Sequence, residues 1–132
     1  MPMSLGDFIA GARSRVREIS VEELDNRLED NEAVLVVDVR EPAEYASGHI
    51  PGAILVPRGT LEGAADPGSK YRVEPLCSAH DRLVIVYCES GGRSALAADT
   101  LQQMGFRDVY NLAGGCILWD AEGLPLIPGD YT

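Results

Sequence analysis

Three unbroken apolar runs punctuate the chain: Ala33 to Val37 ahead of Asp38, Ala53 to Val56, and Leu83 to Tyr87. A strand covered on one face alternates apolar with polar residues, so these runs predict strands buried on both faces. Val109 to Leu112 predicts a fourth. Between the last two, Ala95, Leu96, Thr100, Leu101 and Met104 recur at helical spacing, and Gly105 suits the position just past a helix end. Ser20-Val21-Glu22-Glu23 reads as a capping box opening another helix, whose inward face carries Leu24 and Leu28. Leu5, Phe8, Ile9, Ala12 and Val16 predict an amphipathic helix over Leu5 to Arg17, packed on the domain or serving as a docking arm. Arg58 to Ala79, broken by Gly59, Gly63, Pro67, Gly68 and Pro75, reads as a long connection holding at most one short helix. Strands alternating with helices predict an α/β fold, a central parallel sheet with helices on both faces and an extra N-terminal helix.

Composition narrows the function. The 132 residues, 45% hydrophobic and 24% charged, suit one folded domain. Eleven basic against 21 acidic residues give a net charge of −10. Such a surface repels phosphate backbones and anionic lipid, so neither nucleic acid nor a membrane is expected as partner. The longest apolar run, Leu83 to Cys88, is too short to span a bilayer, and Met1 to Asp7 lacks the layout of a secretory signal. Three cysteines without a Cys-x-x-Cys pair favour neither a disulfide framework nor a metal site. A cytoplasmic protein with reduced thiols is the expectation.

In open parallel sheets, ligands bind beyond the carboxyl ends of the strands. Cys88-Glu89-Ser90-Gly91-Gly92-Arg93-Ser94 lies there, between a buried strand and a predicted helix. The two glycines let the backbone turn tightly, so several amide N–H groups can converge on one point. The following helix adds its own unpaired donors and the positive end of its dipole. A Cys88 thiol in that cradle is expected to ionise below the free value of about 8.5, with no need of a histidine base. Arg93 is placed to brace the loop or meet an anion.

At this loop the sequence resembles the rhodanese family of sulfurtransferases, whose signature is a six-residue loop from Cys to Arg, as Cys88 to Arg93 is here. Asp38 to Ala53 is similar to the segment after the family's early strand, and Gly105-Phe106-Arg107 through Gly114-Gly115 to Trp119 is similar to its closing segment. The resemblance runs from about Ile19 to Leu126 and implies two units, an N-terminal helical extension over 1–18 and a rhodanese-like domain over 19–132. It implies a rhodanese-like fold and a two-step reaction without metal or organic cofactor. The Cys88 thiolate takes the outer sulfur of thiosulfate or a persulfide donor, and the resulting persulfide passes it to cyanide, a thiol or a protein acceptor. Glu89, Ser90, Gly91, Gly92, Arg93 and Ser94 are expected to line the substrate site. Arg58, after the short second strand, is a further candidate for binding an anionic donor.

Other residues receive plainer expectations. Asp38, Arg40, Glu44 and His49 read as scaffold of the family motif, Trp119 as core, and Cys77 as structural. Cys116 should share the site's edge as a packed residue, or else resolve the persulfide. Glu89 fits worst, because a carboxylate opposes a neighbouring thiolate. At about 6 Å the repulsion is ~0.7 kcal/mol in water and about 3 kcal/mol at an effective dielectric of 20. A helix terminus returns roughly 0.3–2 kcal/mol before individual amide bonds are counted. Two rivals follow from the same loop. Phosphatases and arsenate reductases use a related loop one residue longer, and a smaller ring suits a single sulfur better than a tetrahedral oxyanion. A persulfide carrier or a docking module without turnover is the other.

Overall fold

The computed structural model describes residues 1–30 and 33–129, so 31–32 and 130–132 of the expected second unit lie outside the described residues. Five strands, β1 (Arg17–Ile19), β2 (Val34–Asp38), β3 (Ile54–Leu55), β4 (Leu83–Tyr87) and β5 (Asp108–Leu112), form one sheet in the order β1-β5-β4-β2-β3. Every pairing is parallel. Successive side chains of a strand point to opposite faces, and the core divides accordingly. Leu35, Val37, Val84, Val86 and Val109 pack on one face with residues of α4 (Leu61–Ala65), α5 (Glu74–Cys77) and α6 (Gly92–Gln103). Val36, Ile85, Tyr87 and Leu112 pack on the other with residues of α2 (Val21–Glu29) and α7 (Gly115–Ala121). Two covered faces explain why β4 is apolar at every position and β2 as far as Val37.

Three local expectations change. The first helix, α1, covers Leu5–Arg13 rather than reaching Arg17, and Arg17–Ile19 is an edge strand on β5. Only Ile19 of that strand is buried, so it carries no apolar run to announce it. The connection from Arg58 to Ala79 holds a 3₁₀ turn over Arg58–Thr60 and two short helices, α4 and α5. Their buried Leu61, Ala64, Ala65 and Leu76 dock it on the core. Of the capping box on α2 only half forms. Ser20 Oγ accepts the Glu23 N–H at 3.0 Å, while the Glu23 carboxylate lies 3.8 Å from Arg27.

The topology locates a crevice. From β2 the chain moves outward to β3, and from β4 it moves the opposite way to β5. The carboxyl ends of β2 and β4 therefore border the switch point, where open α/β sheets bind ligands. Asp38 ends β2 and Cys88 follows β4. A further helix, α3 (Pro42–Ser47), stands after β2 on the same edge.

Candidate active site

Cys88 leaves β4 nearly wholly buried, 1% exposed, and its sulfur turns back beneath the loop. Sγ accepts the Gly91 N–H at 3.1 Å and lies 3.3 Å from the Ser94 hydroxyl. Gly91 can cap α6 because its φ of +108° lies in the left-handed region that glycine tolerates. The resting sulfur thus receives one main-chain donor and one hydroxyl, fewer amides than the loop sequence leads one to expect. The amides of Ser90, Gly92 and Arg93 donate to no acceptor among the described residues. Glu89 and Ser90 form the exposed rim.

The loop is held from both sides. Cys116 N–H donates to the Cys88 carbonyl at 2.9 Å, and Ile117 N–H to the Glu89 carbonyl at 3.1 Å. This contact requires Gly115, because a Cβ there would fall 2.4 Å from the Glu89 carbonyl oxygen. On the far side, Ser94 Oγ donates to Asn111 Oδ1 at 2.6 Å, and Asn111 Nδ2 donates to the Gly91 carbonyl at 3.1 Å and to Glu18 at 2.9 Å. The serine has one proton to share between Asn111 and the sulfur. Asn111 is a site residue that sequence reasoning missed. Its signal lay in the strand alternation: Asn111 shares a face with the apolar Val109, and an amide buried there demands polar partners.

Arg93 crosses to α3 and grips Glu44 with two bonds of 2.9 and 3.1 Å. The Arg93 bonds hold the Glu44 carboxyl well below its ordinary 4.5, at about 2, and the Glu41 N–H reinforces this. The guanidinium in turn is raised. The sign follows from linkage: a depressed folded pKa gives stability that is present above pH 4.5 and lost as pH falls towards 2. Discounting for solvent around the pair, the parent should lose about 1–2 kcal/mol more than Glu44→Gln between pH 5 and 2. Acid titration of urea midpoints checks this.

The remaining candidates separate. Arg58 is not brought to the loop. Its guanidinium bonds Glu62 at 3.2 Å and Thr100 at 3.2 Å, and Thr100 stands eight residues past Gly92, about 12 Å along α6. Cys116 is buried in the core opposite the one that receives Cys88. Burial pushes the Cys116 thiol up, and burial does the same to Cys77, whose Sγ lies 3.2 Å from the Ala64 carbonyl. His49 stacks on Tyr45 at 3.7 Å, and Trp119 donates to the Pro125 carbonyl at 2.8 Å, both as scaffold. Among the described residues no three His, Cys, Asp or Glu side chains gather where a metal could be held. No described helix is long and apolar enough to cross a membrane.

Comparison with known proteins gives this geometry a family. A sulfurtransferase of Allochromatium vinosum is 42% identical over 112 residues, covering 85% of this chain and 95% of that one. A Bacillus subtilis protein provisionally named a sulfur carrier, YrkF, is 32% identical over 117 residues, covering 89% of this chain and 58% of that one. Among solved structures, a Rhodopseudomonas palustris protein described as of unknown function and a possible tyrosine phosphatase superposes with a TM-score of 0.87. It is 32% identical, with 96% of this chain and 99% of that one covered. Residues 20–122 match the model of the Rhodanese-like domain. With its five-stranded parallel sheet and a cysteine loop at the switch point, the chain belongs to the rhodanese-like family.

Proposed function

We propose that this protein moves a sulfane sulfur from thiosulfate or a persulfide donor to a thiol or cyanide through a persulfide on Cys88. The observation that carries the reading is the Gly91 N–H aimed at Sγ from the head of α6, with three neighbouring amides unpaired. These donors favour negative charge on the sulfur at rest and on the outer sulfur once it is bound. In the first step the thiolate pair forms a bond to the outer sulfur of thiosulfate. The S–S bond of the donor breaks, and its electron pair leaves with sulfite. In the second, the acceptor's pair forms a bond to the outer sulfur of the persulfide, and the thiolate of Cys88 is restored. Charge balances in both steps, and no redox partner is needed.

A second reading, the persulfide carrier that hands its sulfur to a protein, shares the first step. It is supported by Ile117, 56% exposed and joined by its amide to Glu89 on the loop rim. The phosphatase rival is disfavoured by four residues, rather than five, between Cys88 and Arg93, and by the commitment of Arg93 to Glu44.

Intact mass measurement after exposure to thiosulfate tests the proposal. The expected result is a gain of one sulfur atom, removed again by cyanide with release of thiocyanate. An unchanged mass with both thiosulfate and a thiol persulfide, or hydrolysis of an aryl phosphate instead, overturns it. Sulfur that leaves only to a protein acceptor selects the carrier.

A further inference from the structure

The N-terminal helix α1 precedes the matched domain, yet it packs against the catalytic loop. Ala12 is fully buried, Arg15 bonds Asp99 of α6 at 3.0 and 2.8 Å, and Gln102 donates to the Arg15 carbonyl at 2.9 Å. Ile9 Cδ1 lies 3.0 Å from where a Cβ on Gly92 would stand, so the absence of that carbon lets α1 approach. One position earlier in the loop, Arg13 Nη2 lies 3.2 Å from where a Cβ on Gly91 would stand. Gly91 is the residue whose amide meets the Cys88 sulfur.

Five other arginines are already paired with carboxylates. Arg93 is matched by Glu44, Arg40 by Asp38, Arg58 by Glu62, Arg15 by Asp99 and Arg17 by Asp108. Arg13 is exposed and makes no ion pair among the described residues. A dianionic donor approaching this site meets the exposed Glu89 and a chain of net charge −10. Some cation must offset that repulsion if thiosulfate is to bind, and the loop's own arginine is already neutralised.

We propose that Arg13 is the specificity-determining cation of the donor site, holding the oxyanion end of a small dianionic sulfur donor over the loop. The proposal rests on the sulfurtransferase reading and adds to it the class of donor and the residue that selects it. The planar fork of the guanidinium matches two sulfonate oxygens. The outer sulfur of the donor is then free to face Sγ. When the thiolate attacks, the pair from the broken S–S bond departs on sulfite, still a dianion at the same cation. The helical extension becomes part of the site rather than an appendage.

The test uses the full chain, Arg13→Gln and Arg13→Lys, with thiosulfate (dianion) and benzenethiosulfonate (monoanion) as donors and cyanide as acceptor. Benzenethiosulfonate gives up the same outer sulfur and leaves as benzenesulfinate. For Arg13→Gln the thiosulfate KM should rise about 10-fold, with kcat within about twofold. The benzenethiosulfonate KM should rise only about threefold, because the charge held is halved. Arg13→Lys should recover part of the loss. The parent KM for thiosulfate should climb with ionic strength more steeply than that of Arg13→Gln. Melting temperatures should coincide, since Arg13 has no partner to lose. A thiosulfate KM within twofold of the parent, or an equal rise for both donors, overturns the role of Arg13. If the parent itself takes sulfur from neither donor, the underlying sulfurtransferase reading fails instead.

Discussion

In a Cys88→Ala variant, thiocyanate formation from thiosulfate and cyanide is expected to fall at least about 10³-fold, with no sulfur added to the protein mass. No other thiol can stand in. Cys116 packs into the core on the opposite face from Cys88, and burial raises its thiol away from ionisation. Cys77 lies at the end of α5 with its thiol against the Ala64 carbonyl, raised for the same reason. The loss should be chemical rather than structural. Removing Sγ leaves the Gly91 amide without its acceptor, while the Ser94 hydroxyl keeps Asn111, at a cost of about 1–2 kcal/mol. For a chain of this size that is a drop of roughly 3–10 °C in Tm, which leaves the variant folded at room temperature. Cys116→Ser should load sulfur like the parent. Retention of more than a tenth of the parent rate in Cys88→Ala would place the nucleophile elsewhere.

The largest stability effect is expected at Asp38. Its carboxylate is fully buried and accepts bonds from the Arg40 guanidinium at 2.7 Å, the Arg40 amide at 2.9 Å and the Tyr87 hydroxyl at 2.7 Å. Arg40 also donates to the Gly48 carbonyl at 2.7 Å, and Tyr87 accepts the Ile50 N–H at 3.1 Å. One carboxylate therefore ties β2, β4 and the segment after α3 together at the crevice. Burial and the Asp38 charge push the Tyr87 phenol far up, so it stays a donor at any working pH. Asp38→Ala strands a buried guanidinium and a buried phenol, at a cost of about 3–5 kcal/mol. Thermal melting should register a fall of roughly 10–20 °C. Asp38→Asn keeps the shape without the charge and should fall between the two. Because Tyr87 precedes Cys88 and its carbonyl accepts the Val39 N–H, activity should drop with stability in Asp38→Ala. A melting point within a few degrees of the parent would show that the network is not what holds this edge.

Much of this architecture was legible along the chain. Four of the five strands are predicted, and β2 and β4 stand out most plainly because a strand covered on both faces leaves no position for water. The helix opened by Gly91-Gly92 and closed before Gly105 is equally local. So is the loop, since its glycines and the Cys88-to-Arg93 spacing are written in consecutive residues. β1 was not legible. Three residues with a single buried side chain carry too little pattern to separate a strand from the tail of a helix. The Arg17 side chain over the Tyr110 ring and its bond to Asp108 favour the strand, and both partners lie more than 90 residues away.

The site divides along the same line. Local spacing determined the candidate nucleophile, the turn that bends behind it and the helix whose cap residue aims its amide at the sulfur, because these depend on backbone geometry within one loop. Folding at long range decided which charges stand near that loop. Arg93 finds Glu44 at a sequence separation of 49, Ser94 finds Asn111 at 17, and Asn111 finds Glu18 at 93. Arg58, close in chain to a strand end, turns away to Glu62 and Thr100. Arg13, outside the family domain altogether, arrives at Gly91. Periodicity along a chain records whether a residue faces core or water. It holds no record of which distant charge the crossover connections will bring alongside.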